Sequence, residues 1–228
     1  MKKYIEVRTL LGHNAVIGFG DDNFYVKSIS WETASHIIIK KHYSHKTDSR
    51  PHNKINLGIY INKELMGVLQ YGYAMNPASQ ASIVANTAMD EYLELNRMWI
   101  DDKAGKNSES KAISYSIKYI KRRYPKIKWI QSFADERCGC FGIVYQACSF
   151  SYYGEHNSIF WEINGQVFHN AIITNGNRNK KSEIEYKYSA DKKKKVIRQF
   201  RYIKFIDQRC KKDCLLKEQP YLKYYNGD

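Results

Sequence analysis

Apolar residues change their spacing along this chain, and the order of the changes limits the folds it can adopt. Alternating or continuous apolar runs, typical of strands, are separated by segments with apolar residues three or four positions apart, typical of helices. The predicted order is strand, helix, hairpin, strand, helix, strand, helix, strand. This order predicts a mixed α/β (α+β) fold, with a central mixed sheet flanked by helices.

The first half of the chain carries clear turn and cap signals. Residues 1–29 are predicted to form short strands with a turn at Gly20–Asn23. Ser30 is a suitable N-cap for the first helix, because its hydroxyl can accept a hydrogen bond from a free backbone N–H group. The runs Ile55–Ile61 and Leu65–Tyr73 are separated by three polar residues and indicate a hairpin.

A strand and a helix follow in the middle of the chain. Tyr92–Ile100 alternates as a strand, which places Leu95 and Arg97 on one face. Ser108 is predicted to cap a helix that ends before Pro125. The remaining predicted elements are a buried strand, a short helix, a hairpin across Asn164-Gly165 and a last strand: Lys128–Phe133, Gly142–Cys148, Tyr152–Ile163 with Gln166–Ile173, and Ile203–Ile206.

The domain organisation is predicted to be simple. The 228 residues contain no internal repeat and no hinge-like linker, so a single domain over residues 1–228 is expected. Residues 175–228 are rich in lysine and arginine and are predicted to be a basic extension packed on that domain. The oligomeric state is left open, with a homodimer as one alternative.

Charge and cysteine content limit the class of protein. There are 37 Lys and Arg residues against 23 Asp and Glu, a net charge of +14. This excess favours nucleic acid as a partner, while an anionic lipid or a merely solvated basic surface are the alternatives. No apolar run reaches the length of about 20 residues that spans a membrane. The five cysteines and the absence of a secretion signal favour reduced thiols in a cytoplasm.

Six short motifs together carry a family resemblance. They are HYSH (42–45), ELNRMWID (94–101), NSES (107–110), WIQSFAD (129–135), GIVYQACSFSYYG (142–154) and RYIKFI (201–206). In this order they resemble the Mom family of phage DNA modification proteins. The resemblance implies a GNAT-like acetyltransferase fold. It also implies conversion of adenine in duplex DNA to an N6-carbamoylmethylated form, a methylcarbamoylation that protects phage DNA from host restriction.

A helix N-terminus at Asn107–Ser110 suggests where a cofactor binds. Its free backbone N–H groups and the helix dipole favour an anion, and in acetyltransferases this place holds the pyrophosphate of coenzyme A. Asn107, Ser108, Ser110 and Arg97 are therefore the candidate residues for binding acyl-CoA or another acyl donor. The alternatives are that the serines only cap the helix and that Arg97 pairs with Glu94.

Asp135 and the HYSH motif supply the candidate catalytic and metal-binding groups. Asp135 follows a buried strand, where it could orient a base, accept a proton or bind a metal. His42 and Tyr43 are candidate catalytic residues at the end of the first helix. Imidazoles plus a carboxylate are typical of non-haem iron sites, so His42 and Asp135 are candidate ligands of divalent iron or another metal. Tyr43, His45 or Tyr145 would supply the third ligand.

Tyr145 has a second expected role. The resemblance places it in the helix where acetyltransferases keep the tyrosine that protonates the departing thiolate. Packing in the core, or stacking on a base flipped out of the duplex, are the alternatives.

The basic C-terminal third is predicted to bind double-stranded DNA. The candidate residues are Lys192, Lys193, Lys194, Lys195, Arg198 and Arg201, which are interleaved with aromatic residues. A solvated charged face is the alternative. Two other functions are compatible with the sequence: a coenzyme A-dependent N-acetyltransferase of a small amine or protein, and a non-catalytic DNA-binding relative.

Overall fold

One sheet passes through the whole described part of the protein. The computed structural model describes residues 1–10, 12–47, 52–74, 77–139, 141–163, 166–170 and 192–223. The strands are β1 (Lys3–Arg8), β2 (Asn14–Gly20), β3 (Phe24–Ser28), β4 (Asn53–Ile61), β5 (Glu64–Gly72), β6 (Tyr92–Ile100), β7 (Trp129–Asp135), β8 (Ser151–Ile163), β9 (Gln166–His169) and β10 (Lys192–Phe205). The helices are α1 (Trp31–Lys41), α2 (Ser108–Arg123) and α3 (Ile143–Ala147). Among the described helices, none is both long and apolar enough to cross a bilayer.

The sheet opens at one place. Its order is β1-β2-β3-β4-β5-β6-β7-β10-β8-β9, and of these neighbours only β6 and β7 are parallel. Their pairing covers Tyr92–Glu94 against Trp129–Gln131 and no residue beyond. Because both strands continue past this point, a gap opens between their carboxyl ends. Such a gap in an α/β sheet is the expected place for a ligand.

The two faces of the sheet pack against different helices. The Tyr71 hydroxyl lies 2.5 Å from the Ser116 hydroxyl of α2. The preceding residue, Gln70, accepts a hydrogen bond from Thr47 beyond the end of α1. Adjacent residues of a strand point to opposite faces, so we call these the α2 face and the α1 face. The larger apolar core, with Tyr71 and Ile113, lies on the α2 face.

A β-bulge in β6 corrects the predicted alternation of that strand. Tyr71 pairs with Leu95, but Gln70 pairs with Arg97, so Asn96 is an extra residue. Leu95 therefore faces the α2 core while Arg97 faces α1, and the prediction that they share a face was wrong. The inserted residue breaks the period of two on which that prediction depended.

The two long helices begin differently. The predicted cap of α1 is confirmed, since the Ser30 hydroxyl accepts from the Thr33 N–H group at 3.1 Å. The predicted cap of α2 was wrong, because Asn107 holds the cap position with a left-handed φ of 65°. Ser108 is the first helical residue, and its hydroxyl donates back to the Ala104 carbonyl at 2.6 Å. The sharp turn before α2 needs a residue that tolerates positive φ, and asparagine is one of the few.

The last strand is much longer than predicted. Only Ile203–Ile206 was expected to be a strand, yet β10 has 14 residues and lies between β7 and β8. The first part of β10 was not predicted, because its four successive lysines have low strand propensity. Of the predicted basic extension, Lys192–Phe205 thus lies within the sheet, and residues 171–191 are outside the described part. Asn164-Gly165 and the end of the predicted run Gln166–Ile173 also fall outside it.

Candidate functional site

The gap between β6 and β7 collects charged side chains on the α1 face. His42 and Tyr43 come from the end of α1, and Arg97 comes from β6 beyond the bulge. Asp135 is the last residue of β7 and is only 6% exposed. The structure thus gathers four of the predicted site residues around the gap. It adds two that the sequence analysis did not identify, Lys46 and Arg137.

His42 is a buried and neutral imidazole. Its Nδ1 atom accepts a hydrogen bond from the Ser44 backbone N–H group at 3.1 Å and lies 2.8 Å from the Ser44 hydroxyl. Burial, together with the charges of Arg97, His45 and Arg137, lowers the pKa of His42 to about 4. With Nδ1 acting as an acceptor, the neutral ring carries its proton on Nε2. His42 can therefore donate one hydrogen bond near pH 7.

Asp135 is held by a single arginine. The Arg137 Nε atom donates to both carboxylate oxygens at 3.0 and 3.1 Å, and Nη2 donates at 2.5 Å. The Arg137 backbone N–H group adds a fourth bond at 3.0 Å. Such a forked pair fixes the carboxylate in one orientation. The run Asp-Glu-Arg at the end of a buried strand is the sequence signal that could have indicated this pair.

Arg137 also lies against two aromatic rings. Its guanidinium carbon is 4.6 Å from the ring centre of Phe160 and 5.6 Å from that of Tyr43. The Tyr43 ring in turn lies 4.3 Å from the His42 ring, and Tyr43 is 53% exposed. Cation–π contacts of this kind hold a guanidinium in place. Tyr43 therefore forms the outer, solvent-facing wall of the site.

The proposed metal ligands do not fit a metal ion as they are arranged. His42 Nδ1 is occupied by Ser44, and both Asp135 oxygens are occupied by a guanidinium, which brings positive charge where a cation would bind. The His45 Nδ1 atom is bonded to the Ile39 carbonyl at 2.9 Å. Across the described residues, no group of three His, Cys, Asp or Glu side chains could hold a metal. We therefore derive no chemical step through a metal.

Arg97 makes no ion pair with a described carboxylate. Its Nε atom donates to the Lys46 carbonyl at 3.0 Å, and its Nη1 atom donates to the Asn96 carbonyl at 2.5 Å. Glu94, the alternative partner, instead accepts from the Gln131 amide at 2.8 Å. Carbonyl partners leave the charge of Arg97 without an opposite charge. An anionic ligand would supply one.

The N-terminus of α2 has backbone amides that the helix itself does not use. The Ser108 and Ser110 hydroxyls donate to the Ala104 and Asn107 carbonyls, so they serve the turn itself. The first intrahelical bond is donated by Lys111, which leaves the amides of residues 108–110 for a ligand. A Cβ atom added at Gly105 would meet nothing within 4 Å, so the approach is open. Backbone amides, more than the serine hydroxyls, would hold the anion.

Tyr145 lies on the other side of the sheet from His42 and Asp135. It is 8% exposed and belongs to the core of the α2 face. Its ring centre is 5.7 Å from that of Phe150 and 5.4 Å from that of Tyr202. The structure therefore packs the ring in the core, which was one of the alternatives, and does not place it beside the candidate metal ligands.

Three of the six predicted DNA-binding residues in β10 have side-chain partners within the described part of the chain. Lys195 pairs with Glu162, and Arg198 pairs with Glu136 at 2.8 Å and Glu155 at 3.6 Å. The Arg201 guanidinium donates to the Gln131 side chain at 2.9 Å and lies over the Phe133 ring. Lys193 and Lys194 are exposed, and the side chain of Lys192 is outside the described part. Two lysines of the tract thus extend into solvent.

Comparisons with known proteins concern the family and the fold of the chain. Residues 23–223 match the Mom protein family. The chain is 41% identical to the methylcarbamoylase Mom of Escherichia phage Mu over 221 positions, covering 91% of this chain and 87% of that protein. The ribosomal-protein-S5-alanine acetyltransferase of Vibrio fischeri is 11% identical, with a TM-score of 0.51 over 84% of this chain and 98% of that one.

The structural likeness concerns the fold alone. It confirms the predicted GNAT-like mixed α/β architecture, in which two parallel strands part to form a gap. The family match includes all six motifs above and every described element except β1 and β2. The chain belongs to the Mom protein family.

Proposed function

We propose that this protein is a transferase that modifies the exocyclic amine of adenine in duplex DNA, giving the N6-carbamoylmethylated base. The observation that carries the proposal is the 41% identity to a methylcarbamoylase over most of both chains. Double-stranded DNA is the proposed partner, and the cytoplasm of a bacterial host is the proposed location. Modified adenine would protect phage DNA from restriction enzymes that recognise that base.

The geometry of the gap supports a flipped base as the substrate. An adenine inside a duplex cannot present its amine to a buried group, so it must rotate out of the stack. The exposed ring of Tyr43 offers a stacking surface at the mouth of the site. Behind it, His42 Nε2 can donate a hydrogen bond to a ring nitrogen of the base. Asp135, fixed by Arg137, can accept a proton from the amine.

The donor would approach from the α2 side of the gap. We propose that the backbone amides of residues 108–110 hold the phosphates of acyl-CoA or a related donor. Because the carbamoylmethyl group is joined to the amine through its CH2 carbon, transfer of a thioester carbonyl alone would give an amide and not this product. The balanced step forms the bond from the amine nitrogen to that CH2 carbon, breaks the bond from the carbon to the leaving group of the donor, and passes the amine proton to Asp135. Arg97, on the α1 face of the gap, is a second proposed contact for the donor. Tyr145 is the proposed acid that protonates the leaving group from the α2 face.

Mass spectrometry of nucleosides tests this function. DNA from bacteria that express the protein should contain a heavier deoxyadenosine and should resist adenine-recognising restriction enzymes. DNA from cells carrying the empty vector is the control. Unchanged deoxyadenosine, together with a folded protein that acetylates a small amine or a protein, would replace the proposal with the acetyltransferase alternative.

Tyr145→Phe tests the tyrosine separately. The ring and its contacts with Phe150 and Tyr202 are retained, so the melting temperature should change little. An acid contributes about a hundredfold or more to a rate, and we expect a loss of product of that size. Tyr221→Phe, which likewise removes only a hydroxyl, one that donates to the Phe150 carbonyl at 2.7 Å, is the control. Equal product from both variants would show that Tyr145 contributes only to packing in the core.

A further inference from the structure

We propose that Gln70 of β5 is a positioning residue for the reaction, because it fixes, through Thr47, the loop that brings His42 and Tyr43 to the gap. We call residues 42–47 the histidine loop. The inference rests on the proposed function, in which His42 and Tyr43 contact the flipped adenine. Gln70 would act on the reaction only through this loop.

The Gln70 side chain lies fully buried on the α1 face of the sheet, and both of its polar ends are bonded. Its Oε1 atom accepts a hydrogen bond from the Thr47 hydroxyl at 2.9 Å. Its Nε2 atom donates to the Asn56 side-chain oxygen at 3.0 Å, and the Asn56 amide donates to the Asn53 side-chain oxygen at 2.7 Å. A buried amide is costly unless it is bonded. Since hydrogen bonds are directional and apolar contacts are not, these bonds hold Thr47 in one place.

The residue before Thr47 is held by the neighbouring strand. Gln70 and Arg97 are directly paired across β5 and β6, and the Arg97 Nε atom donates to the Lys46 carbonyl at 3.0 Å. On the helix side, the Ser35 hydroxyl of α1 lies 3.1 Å from the Thr47 hydroxyl. The end of the histidine loop is therefore attached to two strands and to α1 within two consecutive residues.

Hydrogen bonds inside the histidine loop would pass a shift at Thr47 on to His42. The His45 backbone N–H group donates to the His42 carbonyl at 2.9 Å, and His45 has a left-handed φ of 48°. The Ser44 backbone N–H group donates to His42 Nδ1 at 3.1 Å, which orients the ring. A misplacement of about 1 Å can lower a rate about a hundredfold. Gln70 would therefore contribute to the reaction by where it holds the loop.

Thr47→Val removes the hydroxyl and keeps the branched shape of the side chain, while Thr47→Ser keeps the hydroxyl. We expect about tenfold less modified deoxyadenosine from Thr47→Val than from wild type, since Arg97 still holds the loop at the preceding residue. Thr47→Ser should restore most of the product. Thr33→Val is the matched control, because it makes the same substitution at an exposed position near the other end of α1. Its product should equal that of wild type.

Hydrogen exchange distinguishes positioning of the loop from general stabilisation of the fold. The backbone amides of His42 and His45 report on the loop, because they donate to the Ile38 and His42 carbonyls. Thr47→Val should speed their exchange and leave the amides of α2 unchanged, whereas a network that only stabilised the fold would speed both. Gln70→Met keeps an unbranched side chain and should speed the same two amides. Adding Thr47→Val to it should cause little further change, because both substitutions remove one hydrogen bond.

The positioning role requires that Thr47→Val change both product and loop exchange, and that Thr47→Ser reverse both. Either change without the other, or additive effects of Gln70→Met and Thr47→Val, would overturn it. Unmodified deoxyadenosine from the wild-type protein would instead refute the proposed function. Hydrogen exchange needs no activity, so in that case it alone decides whether Gln70 holds the loop.

Discussion

Arg97 of β6 and the basic residues of β10 look alike in sequence but differ in the fold. In β10, Lys195 and Arg198 are neutralised by glutamates of β8 and of the turn after β7. In β6, Arg97 is bonded to the backbone carbonyls of Lys46 and Asn96. A count of basic residues predicts the total charge of a protein. It does not predict which charges are still available to an anion.

The largest effect should come from Asp135→Asn, which removes the carboxylate that Arg137 holds. We expect product to fall about a hundredfold, as for loss of a general base. Affinity for DNA should not fall, because the change removes a negative charge beside Arg137. Product is measured by nucleoside mass spectrometry and affinity by anisotropy.

Asp207→Asn is the control for this change. Asp207 is held by Arg209 two residues later in the same forked manner, with Nε at 3.0 and 3.2 Å from its two oxygens. Loss of product in both variants would mean that a turn in which an aspartate binds the arginine two residues later matters only for folding. Loss confined to Asp135→Asn would attribute the effect to the gap.

The next effect is a dependence of stability on pH that originates at His42. Its pKa is about 4 in the fold and about 6.5 in the unfolded chain, so between these values the unfolded state binds more protons. The stability contributed by neutral His42 is complete above pH 6.5 and is lost as the pH falls towards 4. The loss should be on the order of 2 kcal/mol.

Urea unfolding of wild type and His42→Gln at a series of pH values measures this contribution. The difference in free energy of unfolding between the two proteins should shrink as the pH falls from 6.5 to 4. His36→Gln, at an exposed histidine of the same helix, is the control for the substitution itself. A constant difference for His42→Gln would show that burial in the fold leaves the basicity of His42 unchanged.

The smallest effects should separate the lysines of β10. Lys193 and Lys194 are exposed, and replacing both by alanine should weaken DNA binding about tenfold, equally for all sequences. Lys195→Met removes a lysine already paired with Glu162, so affinity should stay within about a factor of two. Equal losses for the pair and for Lys195 would contradict the distinction between free and neutralised lysines.

Local signals predicted much of the fold, and contacts across the sheet explain most of what they missed. The N-cap role of Ser30 and the hairpin of β4 and β5 were predicted from residues adjacent in sequence, and both are confirmed. The bulge at Asn96 depends on pairing with β5, so no alternation within β6 could reveal it. The strand character of Lys192–Lys195 likewise depends on β8, whose glutamate neutralises one of the lysines.

The candidate site was predicted in part for the same reason. His42, Tyr43, Arg97 and Asp135 were identified because motifs marked them, and the structure gathers them at one gap. Arg137 was missed although it is two residues from Asp135, because its importance comes from the rings of Tyr43 and Phe160. Phe160 lies in β8, which is distant in sequence, and only the completed sheet brings it there.

The position of β10 has a consequence for the order in which the protein matures. It is the last described strand to leave the ribosome, yet it pairs with β7 on one side and β8 on the other. Until it arrives, both strands have an open edge, and the hairpin of β8 and β9 has no attachment to the rest of the sheet. Because Asp135 pairs with Gln199 of this strand, the candidate site should be completed only after β10 has emerged. A nascent chain that lacks β10 should then be inactive.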